Sequence, residues 1–583
     1  MIELNELGAW QPQQKAFTAL FAPAELSVVE DARRSVRADR RHIAYCVYEN
    51  PFARAGGIFA VASHLPKALR AAGESVTVLS PFHRNLSTTP PYYSLHYLGE
   101  VDVPFGGRDV RVELFEHFDR FENRWVLMQA WGFFDADGGP DGSNPYAHVH
   151  SWQLLRDSLF ACAAVPYVLA RLGLRSDLVV HAQDWQMAST ALTVKQAALG
   201  GHLDSAAVVL TSHNPYDHPL PAPNLSWITN RLGPERWPFG SDTVYQRMVP
   251  VTDAPLSTVS PGFAAELTTD PLQANHFAAH LQGVYKAHQV VGIDNPLFGE
   301  PTPPFSSDGV RAARVGSTDV ILEEKLAKRR QLLQILSEYK DPRILGGLDA
   351  GAGAPLTELP EEVPVFLMFG RLDPGQKGFD VFARAIEGFD QGEAKFILTP
   401  IAGGGGPYLD DLRLLAEKRK GDVAVFPFRM ERGYLEAMAG ATYAVMPSLY
   451  EPFGAATEAY LAGTPVVARS TGGLMGQVAD FASGPADATG FLLREKLPLG
   501  ASWPGIINAG GPGHRTGIPL YVMIAEALFD RLQEAARLWR ADRRAYARLL
   551  GNLFDKAASF SGERSAAGYQ ALYDAACDPS PRF

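Results

Sequence analysis

The sequence predicts an α/β protein built from parallel sheets in at least two domains. Three observations carry this. At 583 residues the chain is long enough for two separate cores. Its first half opens on a β–glycine loop–α–β run between His42 and Leu79. Its second half holds a strand–loop–helix–strand unit between Tyr443 and Ala468, with polar residues collected at the strand ends. Both runs have the pattern of nucleotide-binding-type folds. In such folds ligands sit beyond the carboxyl ends of the strands and beside helix N-termini.

Bulk properties exclude several classes. The net charge of -11 argues against nucleic acid as a main partner, because phosphate binding wants a basic face. Only three cysteines occur, Cys46, Cys162 and Cys577, without paired spacing. That fits a reducing compartment and gives no zinc motif. The start, MIELNELGAW, lacks a signal-peptide pattern. No apolar run reaches the roughly 20 residues that span a bilayer, and the longest, near Leu159 to Ala170, contains Pro166. The expectation is a soluble, cytoplasmic protein without membrane contact.

Taken in order, residues 1–41 are a leader, and its arginine-rich stretch Ala32–Arg41 reads as a solvated surface helix. His42–Tyr48 is a strand, Asn50–Ile58 a glycine-containing turn, the stretch to Gly73 a helix and Val76–Leu79 a strand. Pro81–Ala130 reads as strands and loops with little site chemistry. Leu178–Gln186 and Val208–Asn214 are apolar runs ending in polar residues, which put His181, Asp184 and His213 on one rim. Pro296–Pro304 suits a linker and residues 345–362 a surface loop. Val363–Phe369 is a strand, followed by a loop that carries Arg371 and Lys377 and opens a helix. Two positive charges beside oriented N–H groups are what a diphosphate needs. Lys395–Thr399 with the glycine loop Gly403–Gly406, and Val423–Pro427 ending at Phe428-Arg429, add further strands. In the 443–476 stretch the turn Glu451–Gly454 precedes a helix from Glu458 capped by Gly463, then the strand Pro465–Ala468 and the turn Thr471–Leu474. Gly490–Tyr521 reads as a Gly/Pro-rich insertion.

The stretch PSLYEPFGAATEAYLAGTPVVARSTGGL, Pro447 to Leu474, resembles the donor-site signature of retaining nucleotide-sugar glycosyltransferases of the GT-B architecture. It is most similar to that of bacterial glycogen and plant starch synthases. Other stretches resemble the same family in order. Arg54-Ala55-Gly56-Gly57-Ile58 stands for its Lys-x-Gly-Gly-Leu loop, and Leu65–Leu69 matches the helix after it. His181-Ala182-Gln183-Asp184-Trp185 and Ser212-His213-Asn214 match its two strand ends, and Ser559–Tyr569 its C-terminal helix. The resemblance runs from about residue 42 to 575.

The resemblance implies two Rossmann-like domains facing across a deep cleft, with a C-terminal helix crossing back to the first. The implied boundaries are 1–41 leader, 42–294 acceptor-side domain, 295–558 nucleotide-sugar domain and 559–583 returning helix. The implied reaction moves glucose from ADP-glucose or UDP-glucose to the non-reducing end of an α-1,4-glucan, with retention. Glu451, Arg371, Lys377, His213 and Asp184 are the implied catalytic residues. Arg54, Gly56, Gly57, Gly454, Glu458, Arg429, Thr471, Gly472, Gly473 and Leu474 are the implied donor contacts. Backbone N–H groups at Gly56-Gly57 and Gly472-Gly473 are expected to help hold the diphosphate. No cofactor or metal is expected, since Arg and Lys neutralise the leaving group. Asp135-Ala136-Asp137 resembles the metal-binding Asp-x-Asp of another glycosyltransferase fold, but it lies in a glycine-rich loop and is not assigned. His148 and His150 are not assigned as ligands. The loop and helix Gly138–Ala164 resemble the acceptor side. Partners are the glucan and the nucleoside diphosphate glucose, and the oligomeric state stays open.

Three departures stand out. Arg54 replaces the family's lysine, and Ala60 stands where the family has an acid. Glu458 follows Glu451 by seven residues rather than eight, which on a helix turns the side chain by about 100 degrees. A ribose contact and a helix-surface or capping role are both open for Glu458. Two other readings of the chain also stay open: a transferase with a small acceptor, and an inactive glycan-binding homologue.

Overall fold

The structure is a computed structural model. It describes residues 1–139, 142–146, 151–229, 242–299, 301–339, 341–345, 360–373, 375–401, 407–430, 432–496 and 519–583. His148, His150, the Gly403–Gly406 loop, most of the 345–362 loop and residues 497–518 of the expected insertion lie outside the described residues. The chain divides into two compact units, residues 1–298 with 560–583, and residues 299–559.

The first unit is organised on a nine-stranded sheet. Its strands are β1 His42–Cys46, β2 Ser75–Pro81, β3 His96–Phe105, β4 Arg108–Phe118, β5 Arg124–Ala130, β6 Leu178–Gln183, β7 Ala206–Ser212, β8 Leu256–Thr258 and β9 Val290–Gly292. They lie in the order β3-β4-β5-β2-β1-β6-β7-β8-β9. β3, β4 and β5 form an antiparallel meander, and the other pairs are parallel. β1, β6 and β7 are buried on both faces, as continuous apolar runs in a parallel sheet must be. The chain leaves β1 toward β2 on one side and enters β6 on the other. The crevice between the β1 and β6 ends is therefore a switch point, where loops part and a ligand can enter.

The C-terminal helix Gly562–Ala576 belongs to this unit. Its Tyr569, Leu572, Tyr573 and Ala576 join the core that contains Ile43, Tyr45, Val179 and Val209. The Tyr573 hydroxyl lies 2.9 Å from His181 Nδ1, and Thr211 Oγ1 lies 2.7 Å from His181 Nε2. Burial holds the His181 imidazole down, to about 3. It is a neutral core group two residues before Gln183.

The leader departs from expectation. Ile2, Leu7, Trp10 and Val36 are part of the same core. The helix Pro23–Arg34 ends within the arginine-rich stretch, which is not a solvated helix. Arg33 is buried, pairs with Glu30 and donates to the carbonyls of Ala576 and Ser580. Arg41 is buried between Glu74 and Asp574. These charges are inside because carboxylates and carbonyls from distant segments satisfy them.

The second unit carries six parallel strands among the described residues: β10 Val365–Arg371, β11 Lys395–Ile401, β12 Val423–Val425, β13 Tyr443–Met446, β14 Val466–Arg469 and β15 Gly490–Leu493. Their order is β12-β11-β10-β13-β14-β15. Gly490–Leu493 is thus the edge strand beside β14, not the start of an insertion. The switch point of this sheet lies between β10 and β13, where the loops 372–378 and 447–455 begin.

Replacing Tyr573 with Phe leaves a buried His181 nitrogen unpaired. The expected cost is about 1–3 kcal/mol, read as a lower midpoint in chemical denaturation, with the second unit's transition unmoved.

Candidate active site

The second unit builds its cluster by backbone contact. After β10, Gly378 adopts φ +75°, and a Cβ there would lie 2.6 Å from the Pro447 carbonyl oxygen. After β14, a Cβ on Gly472 would lie 1.8 Å from the Glu451 carbonyl oxygen, and one on Gly473 would lie 2.0 Å from that of Phe453. Only glycine allows these approaches. They press the loops around 377, 451 and 472 together. Lys377 Nζ then meets Glu451 Oε2 at 2.7 Å, and Ser448 Oγ donates to the same oxygen at 2.9 Å. Leu449 N–H donates to the Gln376 carbonyl at 2.7 Å, and Gln376 Oε1 accepts from Arg371 Nη2 at 3.1 Å. The guanidinium of Arg371 is itself exposed.

Behind this loop a buried ion pair acts as a post. Arg469 and Glu495 pair through two nitrogens, and Arg469 Nη1 donates to the Leu449 carbonyl at 2.8 Å. That fixes the main chain two residues before Glu451.

At Gly473 the expected backbone grip is corrected by this packing. The Gly473 N–H donates to the Glu451 carbonyl at 2.9 Å, so that group is committed within the protein. Thr471 and Leu474 are buried beside it. Gly454 likewise lies under Leu474, and its carbonyl accepts from Gln477 Nε2 at 3.3 Å.

Glu458 lies in the first turn of the helix Ala456–Ala462, which ends on Gly463 in the left-handed conformation. Its carboxylate feels both Lys377 and Glu451. The seven-residue spacing leaves Glu458 within electrostatic reach of the Lys377–Glu451 pair. Enclosure by protein raises its carboxyl, Lys377 opposes this, and Glu451 adds to it. Because the residue is exposed to water, the enclosure acts weakly. Arg429 is exposed and lies within electrostatic reach of Tyr434, which also feels Glu458 and packs edge-on against Phe369.

The first unit gathers a different cluster at the ends of β1, β6 and β7. Asp184 follows β6 with φ +55°, a left-handed conformation that a non-glycine residue adopts under strain. This turn aims its carboxylate at the next strand end. Oδ1 accepts the His213 N–H at 2.6 Å and lies 3.3 Å from the Tyr245 hydroxyl. Burial pushes the Asp184 carboxyl up to about 7, against the pull of the His213 and Tyr245 donors. Burial brings the His213 imidazole down to about 4. Trp185 is buried and tilted against His218, so it packs.

Glu49 sits after β1 and is buried. Its Oε2 accepts the N–H groups of Ala55 at 3.0 Å and Gly56 at 3.3 Å. The Gly56 N–H, expected to hold phosphate, is therefore taken by a carboxylate of the chain itself. The Cβ positions of Gly56 and Gly57 face open space, so a ligand can approach the loop there. Arg54 is exposed, donates through Nε to the Pro51 carbonyl at 2.7 Å and lies over the Phe59 ring at 4.6 Å. Asp135 accepts from Arg84 Nη2 at 2.7 Å. No group of three His, Cys, Asp or Glu side chains suited to a metal occurs among the described residues.

Sequence reasoning missed Glu49, Gln183, Tyr245, Ser448, Gln376 and Tyr434. Glu49, a lone acid closing an apolar strand, and Gln183, inside the quoted stretch, were open to discovery. Tyr245 lies 61 residues from Asp184 and carried no local signal.

Residues 42–287 match the starch synthase catalytic domain family, and residues 356–497 match the glycosyl transferases group 1 family. A glycogen synthase of Anaeromyxobacter sp. (strain Fw109-5) is 29% identical over 546 residues, 91% of this chain and 98% of that protein. Across both units the chain is thus similar to the glycogen and starch synthases. Glycogen synthase 2 of Geobacter sulfurreducens is 27% identical over 490 residues, 79% of this chain and 89% of the relative. Among solved structures, the catalytic domain of starch synthase IV from Arabidopsis thaliana, bound to ADP and acarbose, aligns with a TM-score of 0.68 at 19% identity, covering 92% and 99% of the two chains. That likeness establishes the GT-B fold for this chain. No helix among the described residues is long and apolar enough to cross a membrane.

The buried Asp184 carries a stability signature. Its folded pKa of about 7 lies above the unfolded value near 3.8. Stability is then whole below about pH 4 and falls as pH rises through 7. Asp184→Asn, which tolerates the left-handed conformation and does not titrate, should raise the melting temperature more at pH 8 than at pH 5. It should also lower transfer activity by at least tenfold. An equal effect on melting at the two pH values would contradict the assignment.

Proposed function

We propose that this chain is a glycogen (starch) synthase, a glucosyltransferase that extends an α-glucan with glucose from a nucleoside diphosphate glucose. The observation that supports it most is the Lys377–Glu451–Ser448 cluster at the switch point of the second sheet, with Arg371 and Glu458 beside it. Lys377 and Arg371 offset the charge that grows on the leaving diphosphate. Glu451 and Asp184 stabilise the cationic sugar, and His213 contacts its hydroxyls. Glu458 serves the ribose, and Tyr434 with Arg429 forms the base platform. Arg54 and Gly56-Gly57 are our choice of donor contacts from the first unit, on the resemblance of their loop, and Thr471 and Leu474 shape the loop that bears Glu451. No metal is assigned a part, and the acceptor hydroxyl attacks the anomeric carbon on the face from which the diphosphate leaves, its proton passing to the departing phosphate, which gives retention. ADP-glucose is our choice of donor, on the resemblance to bacterial enzymes, with glycogen or maltooligosaccharide as acceptor and the cytoplasm as its place.

A panel of ADP-glucose and UDP-glucose against glycogen, maltotetraose and glucose 1-phosphate tests this. Expected is glucan lengthening by single glucose units from ADP-glucose, reduced at least 100-fold by Lys377→Ala. Turnover only with glucose 1-phosphate would move the reading to a small-acceptor transferase. Glycogen binding without turnover would indicate an inactive homologue.

A further inference from the structure

Gln183 ends β6 and is 1% exposed. Its Oε1 lies 2.8 Å from His213 Nε2. His213 is gripped a second time through its backbone, whose N–H donates to Asp184 Oδ1 at 2.6 Å. Neighbouring parallel strands hold these groups in place, since Gln183 pairs with Thr211 in the β6–β7 register. Burial keeps the His213 ring neutral near pH 7, so it carries one N–H and one lone pair. Which nitrogen holds the proton decides what the ring offers a ligand. An amide oxygen can only accept, so the proton facing Gln183 belongs on Nε2.

We propose that Gln183 is a positioning residue that locks His213 as the Nε2–H tautomer, so that Nδ1 presents a lone pair and accepts a hydrogen bond from a sugar hydroxyl. This rests on the proposed function for the identity of the ligand as a glucosyl group. It assigns His213 a direction of hydrogen bonding: the sugar donates and the imidazole accepts. It also removes His213 as a proton donor to the reaction. Gln183 Nε2 has no partner in the structure, so the contact to His213 is what the amide is engaged in. Replacing the amide with an apolar side chain of similar length therefore breaks one interaction and frees the ring to change tautomer.

The test uses the full-length protein labelled with 15N-histidine, the His213 signals being assigned by their loss in His213→Gln. Expected in the unmodified protein is a pyrrole-like Nε2 and a pyridine-like Nδ1. Gln183→Met should mix the two tautomers and lower kcat with ADP-glucose and maltotetraose about tenfold, the worth of one hydrogen bond. Its melting temperature should stay within a few degrees. A pyrrole-like Nδ1 in the unmodified protein would mean that the amide faces His213 with its nitrogen, and would overturn the proposal. So would a Gln183→Met protein that loses stability while its tautomer and kcat stay unchanged. If the protein transfers no glucose, the proposed function fails by itself and the spectra still decide the tautomer.

Discussion

Backbone contact at the carboxyl edge of the second sheet is the constraint on which the site depends. Two loops from β10 and β13 are brought together where Gly378 meets Pro447, and a third, after β14, is laid on them where Gly472 and Gly473 meet Glu451 and Phe453. The contacts leave no room for a Cβ, so the three strand ends act as one rigid rim. The Lys377–Glu451 pair is the chemical product of that rim. Neither side chain is reached by its own loop alone. The buried Arg469–Glu495 pair carries the same rigidity into the core, where a charge pair is tolerated because both partners are fully engaged.

The first unit solves a different problem. Its strand ends hold carboxylates, Glu49 and Asp184, in a place that disfavours charge. Burial raises both, and backbone N–H groups pull both down. A carboxyl in this balance gains from any positive charge placed beside it, and it costs stability when none is there. The C-terminal helix matters here, because Tyr573 and Tyr569 pack on His181, directly behind the strand that ends in Gln183 and Asp184.

Much of this was legible in the sequence for a physical reason. Strand ends followed by polar residues are local patterns, and Arg371, Lys377, Asp184, His213 and Glu451 all stand at such ends. The helix from 456 to 462 and its glycine cap were equally local. What escaped were partners that come from far along the chain. Arg33 and Arg41 read as solvated because the Ala576 and Ser580 carbonyls that engage the first, and the Glu74 and Asp574 carboxylates that engage the second, come from segments far along the chain. Tyr245 was invisible for the same cause. The glycines were misread in a more instructive way. A glycine reports that a backbone comes close, and it does not say whose. At 472 and 473 the visitor is the protein's own loop. At Gly56 the space is open, but its N–H is already taken by Glu49.

The measurement that tests the account most directly is a double-mutant cycle on Lys377 and Glu451, read in kcat/KM for ADP-glucose with maltotetraose. If the rim makes these residues one unit, Lys377→Met and Glu451→Gln should each cost at least 100-fold, and the double variant should cost little more than the worse single one. Fully multiplicative losses would mean that the two side chains act independently, and would contradict the claim that their contact builds the donor site.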